Sequence, residues 1–156
     1  MAAGVAIILH ERLGNWSRQL RPRLHGRGVR WFETRSASDL DKAVARRSTP
    51  IAVIDLAQRS LDGLADVDRI RKLAPGSLIL VIDPDANDEV AELARELGAT
   101  LVFSGAVPPP EVSRLLNRWI DLAASRTGRE GWSRSDDGDT LPEPWNWLNP
   151  YLKGIS

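Results

Sequence analysis

Short apolar runs alternate with stretches of helical periodicity along most of the chain, and the alternation repeats five times. Each run is short, rich in β-branched side chains and bounded by Gly, Pro or charged residues, which is typical of β-strands. Three of the runs lack a polar alternation, as expected for parallel strands that helices cover on both faces. The predicted strands are residues 5–9, 29–32, 51–54, 78–82 and 101–103.

The segments between these runs place apolar residues three or four positions apart, as in helices that pack through one side. Ser36 and Ser38 are candidate caps for the second helix, and Gly98 is suited to end the fourth. Pro22 is expected to kink or shorten the first helix because proline lacks a backbone donor. The helices are predicted at about residues 15–24, 40–47, 64–73 and 87–97, and after the three prolines 108–110.

Five consecutive strand and helix units predict a doubly wound α/β domain with a parallel sheet, because parallel strands need helical crossovers of one hand. The five-stranded form of this architecture has the strand order 2-1-3-4-5. Its ligands and reactive groups gather outside the carboxyl ends of the strands, near strands one and three. The residues at those ends therefore decide the functional prediction.

The composition is that of an ordinary water-soluble domain with an appendage. The 156 residues are 42% hydrophobic and 27% charged. No apolar run approaches the roughly 20 residues that cross a bilayer, and the apolar start lacks the basic region of a signal peptide, so we expect a cytoplasmic protein. The absence of cysteine excludes disulfides and thiolate metal sites. With only two histidines, the chain also has few of the nitrogen ligands that zinc sites use.

Positive charge is concentrated in the first third of the chain. Residues 1–50 carry ten Lys and Arg against four Asp and Glu, and residues 51–156 carry eleven against seventeen. A basic segment of this kind can bind nucleic acid, but helix faces exposed to water have a similar composition. Because the arginines fall where a surface helix is expected, nucleic acid is not predicted as a partner. They are Arg12, Arg18, Arg21, Arg23 and Arg27.

The residues that follow the third strand carry a family resemblance. Asp55 ends that strand, and the tripeptide Asp62-Gly63-Leu64 follows seven residues later. Gly98-Ala99 precedes the fifth strand, and Glu111-Val112 opens the last helix. In their order and spacing, residues 4–124 resemble the receiver domain of two-component response regulators. The resemblance implies a flavodoxin-like receiver fold, with Asp55 in the place of the phosphorylated aspartate.

The same resemblance identifies site residues that differ from the family. Receivers place two acidic residues after strand one to hold Mg²⁺, where this chain has His10 and Glu11. They place Thr or Ser at the end of strand four and Lys at the end of strand five, and these positions fall here on Ile82 and Gly105. Phosphoryl transfer depends on cations that neutralise the transferred group, and each lost donor costs roughly 10²- to 10³-fold in rate. The sequence predicts no enzymatic activity and a vestigial phosphoacceptor site of Asp55, Glu11, Ile82 and Gly105.

Acidic residues near the predicted strand ends allow a second interpretation. Glu11, Asp55 and Asp83 offer the hard oxygen ligands that bind Mg²⁺. Alternatively, these side chains form a solvated acidic rim, with Asp55 capping the loop that follows it. No other cofactor is expected, and a nucleotide pocket is not favoured because no Gly-rich phosphate loop follows strand one.

The chain changes character after residue 124. Residues 125–140 are polar and without periodicity, which predicts a linker. Residues 141–156 form a Trp- and Pro-rich tail that is not a regular helix. Large aromatic side chains are enriched at binding hot spots, so the tail either docks on a partner or folds back on its own domain. A membrane is not expected, because the tail lacks a basic cluster. The predicted partner-binding residues are Trp145, Trp147, Leu148, Tyr151 and Leu152.

Together these features predict a non-enzymatic pseudo-receiver that acts as a regulatory or scaffold module. A protein partner would bind through the receiver surface and the C-terminal tail, and association with a second copy of the chain stays open. The alternative is a phosphorylatable single-domain response regulator, which would accept phosphate on Asp55 with unusual Mg²⁺ ligation.

Overall fold

A computed structural model describes residues 4–45, 47 and 49–133 of the chain. Within these residues, five strands and five helices alternate, and the strands form one parallel sheet in the order β2-β1-β3-β4-β5. This confirms the predicted doubly wound sheet and its strand order. The elements are β1 Ala6–His10, α1 Asn15–Arg23, β2 Arg30–Thr34, α2 Ala37–Val44, β3 Ile51–Asp55, α3 Ser60–Leu73, β4 Leu78–Asp83, α4 Asp88–Leu97, β5 Leu101–Ser104 and α5 Pro109–Ser133.

Every strand continues past its predicted apolar run at the carboxyl end. β1 ends at His10, β3 at Asp55 and β4 at Asp83. Strands pair through their backbones, so a polar side chain at the edge of the sheet does not end the pairing. The prediction that β4 ends at Ile82 is therefore wrong by one residue, and an acidic side chain ends this strand.

Local sequence signals explain where several helices begin and end. The Ser36 hydroxyl accepts a hydrogen bond from the backbone N–H of Asp39 at 3.1 Å, so Ser36 caps α2 as predicted. Gly98 follows α4 with a φ of 120°, in the left-handed region that favours glycine, and confirms the predicted stop. Pro22 lies in the last turn of α1, which ends at the next residue.

The last helix is longer than the sequence pattern indicates. α5 continues to Ser133 and includes residues 125–133, the first part of the segment predicted as a linker. Residues 134–156 lie outside the described residues, and with them the rest of that segment and the aromatic tail. In the part of the chain that is described, no helix is long and apolar enough to cross a membrane.

Two apolar cores cover the two faces of the sheet. Because side chains alternate along a strand, Ile8 and Ile54 belong to one core, and Leu9 and Val53 to the other. Helices α2, α3 and α4 complete the first core, and α1 and α5 complete the second. Helices on both faces hold the strands in place. Because all the strands are parallel, the loops that follow them lie together at the carboxyl edge of the sheet.

Candidate functional site

The carboxyl edge of the sheet brings the predicted site residues to neighbouring strands. Asp55, at the end of β3, is paired in register with Ile82 of β4. Asp83, the last residue of β4, is paired with Ser104 of β5. Glu11 follows the end of β1, which lies on the other side of β3. The edge therefore has the arrangement that the resemblance implies, although the side chains differ in their roles.

Asp55 is half-buried and takes part in the folding of the loop that follows it. Its Oδ1 accepts a hydrogen bond from the backbone N–H of Ala57 at 2.9 Å. Burial raises the pKa of Asp55 above its ordinary value, and hydrogen bonds from the Ala57 backbone and the Trp16 side chain partly oppose this. The geometry supports the interpretation that Asp55 caps the β3–α3 loop, while leaving the side chain accessible.

Both carboxylate oxygens of Glu11 serve the fold of the next helix. Oε2 accepts a hydrogen bond from the backbone N–H of Trp16 at 2.8 Å, and Oε1 accepts one from that of Ser17 at 3.0 Å. Gly14, at the cap position of α1, has no side chain to accept these bonds. Glu11 is 8% exposed. Its side chain caps α1 although the residue precedes the helix by several positions.

The end of β4 carries an apolar side chain, Ile82, where the resemblance implies a hydroxyl, and a buried carboxylate follows it. Ile82 belongs to the apolar core on the α5 side, and Asp83 is 1% exposed. Oδ2 of Asp83 accepts a hydrogen bond from the backbone N–H of Asn87 at 2.8 Å. The backbone oxygen of Asp83 accepts from Ala86 at 3.2 Å and from Gly105 at 2.8 Å. Asp83 thus holds the loops that follow β4 and β5.

Gly105 lies after β5, at the position that the resemblance assigns to the family's lysine. Its φ is 86°, in the region that side chains rarely adopt. Any other residue at this position would be strained by about 1 kcal/mol. The backbone itself therefore disfavours a lysine at residue 105.

The three predicted metal ligands do not form one group in this structure. Among the described residues, no set of three His, Asp or Glu side chains is close enough to hold a metal ion. Glu11 and Asp83 also accept backbone hydrogen bonds, as does Asp55. The carboxylates as they stand do not fit a preformed Mg²⁺ site.

His10 has a role that the sequence did not reveal. Its Nε2 lies 2.9 Å from Oδ2 of Asp66 in α3, and its Nδ1 lies 2.8 Å from Oγ1 of Thr34 at the end of β2. Asp66 and Thr34 are both buried. A sequence signal for Asp66 exists, since helical spacing places it between Gly63 and Ile70 on the buried side of α3. The spacing of residues does not identify His10 as the partner of Asp66.

Close packing of α3 against Leu56 explains the glycine of the Asp62-Gly63 pair. Leu56 turns inward directly after β3 and is fully buried. A Cβ atom on Gly63 would overlap Cδ2 of Leu56, so this buried side chain would have to shift in a closely packed core. Glycine at this position lets α3 pack closely over the end of β3.

A cavity of about 270 Å³ opens above the ends of β1 and β3, between the first turns of α2 and α3. His10, Asp55 and Asp66 line it together with side chains from three loops. The lining is unusually rich in guanidinium groups, which the sequence did not indicate because they come from separate segments. These are Arg12, Arg35, Arg59 and Arg69.

No protein-family model matches the sequence, and no curated protein matches it. Solved structures do match this chain. A response regulator from Thermotoga maritima is 11% identical, with a TM-score of 0.64 over 76% of this chain and 99% of that one. A signal receiver domain from Vibrio parahaemolyticus is 13% identical, with a TM-score of 0.65 over 86% and 100%. The receiver domain of a Pseudomonas aeruginosa sensor histidine kinase, which holds a magnesium ion in its active-site cleft, is 21% identical, with a TM-score of 0.61 over 76% and 99%. The chain has the receiver fold.

Proposed function

We propose that this receiver-fold chain is a pseudo-receiver, a non-enzymatic regulatory module that acts by binding a protein partner. The observation that carries the proposal is the position of Glu11, whose two carboxylate oxygens both accept backbone N–H groups of α1. The carboxylate that remains after β1 is thus part of the fold. To hold a metal ion it would have to use oxygens that already accept hydrogen bonds from the first turn of α1.

The other half of the site supports the same conclusion. Phosphoryl transfer is accelerated by positioned cations and donors that stabilise charge on the transferred group. The positions that the resemblance assigns to the hydroxyl and the lysine hold Ile82 and Gly105, and the buried Asp83 follows Ile82. A buried carboxylate repels an incoming phosphoryl group, and glycine supplies no charge. Asp55 therefore lacks the surroundings that make an aspartate an efficient phosphoacceptor.

The partner is proposed to contact the receiver surface and the aromatic tail. Leu93 on α4 is 41% exposed and adds apolar area to the outer surface of that helix. The tail residues Trp145, Trp147 and Tyr151 add large rings that gain from burial. Leu148 and Leu152 accompany these rings. As expected from the sequence, we place this interaction in the cytoplasm.

A phosphorylatable response regulator is the second candidate. Asp55 ends β3 and lines an open cavity, so a small phosphodonor can reach it. One receiver of similar fold holds Mg²⁺ in its active-site cleft. In this chain, Mg²⁺ binding by Glu11 would compete with the hydrogen bonds that Glu11 accepts from α1. The two candidates differ in whether the interaction with a partner needs Asp55.

Cross-linking in the source cell, followed by purification of the full chain, tests the proposal. The double variant Trp145→Ala/Trp147→Ala is expected to lose most of the partner that the unchanged protein recovers. Trp132→Ala, which changes an aromatic residue before the tail, is the matched control and should retain it. Asp55→Asn should also retain it. Loss of the partner in Asp55→Asn would favour the phosphorylatable regulator, and retention in the tail variant would contradict the role of the tail.

A further inference from the structure

We propose that the acidic segment 136–143 of this chain binds the basic surface that α1 and α5 form together. The acidic segment contains Asp136, Asp137, Asp139 and Glu143 and no basic residue. It lies outside the described residues, and in sequence it follows α5 and precedes the aromatic residues that are proposed to contact a partner. The inference goes beyond that partner binding and does not depend on it. The basic surface consists of Arg18, Arg23, Arg27, Arg114 and Arg118.

The positive charge of α1 is not interrupted along the chain. Between Glu11 and Glu33 the sequence contains six arginines and no acidic residue. Arg18 and Arg23 are both exposed. Within the described residues they donate hydrogen bonds only to uncharged oxygens of α1 and of the loop before it. These bonds leave the charge of both guanidinium groups uncompensated.

The last helix brings two further arginines to the same surface. α1 packs against α5, and Arg27, which follows α1, forms an ion pair with Asp121 and donates to the backbone oxygen of Asn117. Helical spacing places Arg118 and Arg114 about one and two turns before Asp121 on the same side of α5. Both arginines are exposed, and neither forms an ion pair with a described residue.

The surface remains positive when each exposed carboxylate beside it is counted at its full charge. Asp121 pairs with Arg27, and Glu111 lies in the first turn of α5. Glu33 of the neighbouring strand β2 pairs with Arg21 of α1 at 3.6 Å. With Arg21 included, six arginines stand against three carboxylates, so positive charge is in excess. An acidic chain segment is the complementary ligand.

The length of the chain after α5 allows the acidic segment to reach this surface. α5 ends at Ser133, twelve residues and about 18 Å beyond Asp121. Asp139 follows Ser133 by six residues, which span about 20 Å when extended. Asp139 and Glu143 can therefore return to the level of Arg118. A connection this short gives an effective concentration of about the millimolar range, so individually weak surface ion pairs are sufficient.

An exposed leucine adjoins the arginines of α5. Leu122 follows Arg118 by four residues, which places it on the same side of the helix, and it is 42% exposed. The acidic segment carries Leu141 between Asp139 and Glu143. Contact between the two leucines would remove apolar surface from water. The segment thus matches the surface in apolar character as well as in charge.

Paramagnetic NMR of the full chain tests the contact. The chain has no cysteine, so Thr140→Cys supplies a single thiol for a spin label in the acidic segment. The amide signals of Arg18, Arg23 and Arg118 are expected to lose most of their intensity. Those of α4, which covers the other face of the sheet, should keep theirs. At about 1 M NaCl the lost signals should recover, because charges are then screened within about 3 Å.

A pair of charge variants in the spin-labelled chain separates attraction from proximity. Asp137→Asn/Asp139→Asn removes two charges of the acidic segment and should abolish most of the broadening. Asp88→Asn/Glu92→Gln removes two exposed charges of α4 and is the matched control. This control should broaden the signals of α1 and α5 as strongly as the labelled chain without these changes.

The proposal is overturned if the amides of α1 and α5 keep their intensity, which would leave the surface to another anionic partner. It is equally overturned if the broadening persists at high salt or in Asp137→Asn/Asp139→Asn. Mixing the spin-labelled chain with an isotope-labelled copy that carries no spin label tests for contact between molecules. Broadening in that mixture would identify a second copy as the occupant and contradict the proposal. Broadening that needs the acidic residues and is absent from the mixture supports it.

Discussion

The backbone nitrogen of Trp16 lies 2.8 Å from Oε2 of Glu11 and donates a hydrogen bond to it. Burial raises the pKa of Asp55, and the side chain of the same tryptophan donates to that carboxyl and partly opposes the rise. One residue of α1 therefore engages both acidic side chains that the receiver resemblance would assign to metal binding and phosphorylation. In this protein, N–H groups of the first turn of α1 donate hydrogen bonds to both carboxylates.

Replacing Trp16 by Phe is expected to raise the pKa of Asp55 further. The substitution removes the indole N–H that stabilises the ionised carboxyl, while burial continues to favour the neutral form. A pH titration of the Asp55 carboxyl carbon by NMR measures the change. Trp31→Phe, on β2, is the control and should leave the titration unaltered. An unchanged Asp55 titration in Trp16→Phe would show that the indole does not stabilise the carboxylate.

Asp55→Asn is expected to increase the free energy of unfolding at neutral pH. Burial raises the folded-state pKa of Asp55 above its ordinary value of 3.8, so the folded protein binds this proton more tightly than the unfolded chain. The stability that comes from this proton is fully present below pH 3.8 and is lost as the pH rises through the folded-state pKa. Asn stays neutral and keeps an acceptor oxygen for Ala57.

Urea unfolding at several pH values measures this difference. The variant should be the more stable protein at about pH 7, and its advantage should disappear below the ordinary pKa of an aspartate. Asp62→Asn is the control, because that carboxyl is exposed. An advantage of Asp55→Asn that does not depend on pH would contradict the explanation by burial.

Removal of the Glu11 carboxylate is expected to destabilise the fold. Glu11→Ala leaves two backbone N–H groups of α1 without their acceptors and should cost about 2 kcal/mol in the free energy of unfolding. Glu11→Gln keeps one acceptor oxygen and should cost less. Denaturant unfolding measures both, with the exposed Glu92→Ala as control. If Glu11→Ala were as stable as the control, Glu11 would be available for another role.

The contact between His10 and Asp66 is expected to hold β1 against α3. His10→Ala leaves a buried carboxylate without its partner and should cost about 3 kcal/mol in unfolding free energy. The double variant His10→Ala/Asp66→Ala should cost less than the sum of the two single changes, because they remove the same contact. His25→Ala is the control, since that histidine is exposed. Additive costs would show that the two side chains do not interact.

The fold could be predicted from local sequence patterns, whereas the contacts between the side chains of the site could not. Runs such as residues 51–54 predict buried parallel strands because both their faces are apolar, and Ser36 and Gly98 predict helix ends through backbone hydrogen bonding and a positive φ. The cap of α1 is Glu11, which precedes the helix by several residues, while the adjacent Gly14 gives no signal. Long-range contacts such as the one between His10 and Asp66 depend on how elements pack, which no spacing records.

The measurement that tests the central claim most directly is the intact mass of the full chain after incubation with acetyl phosphate and Mg²⁺. Glu11 is engaged by α1, and glycine stands where the family's lysine would be, so the mass is expected to stay unchanged. Asp55→Asn and Asp62→Asn are measured in parallel. A stoichiometric gain of one phosphoryl group that is absent in Asp55→Asn and present in Asp62→Asn would contradict the account and identify a working phosphoacceptor.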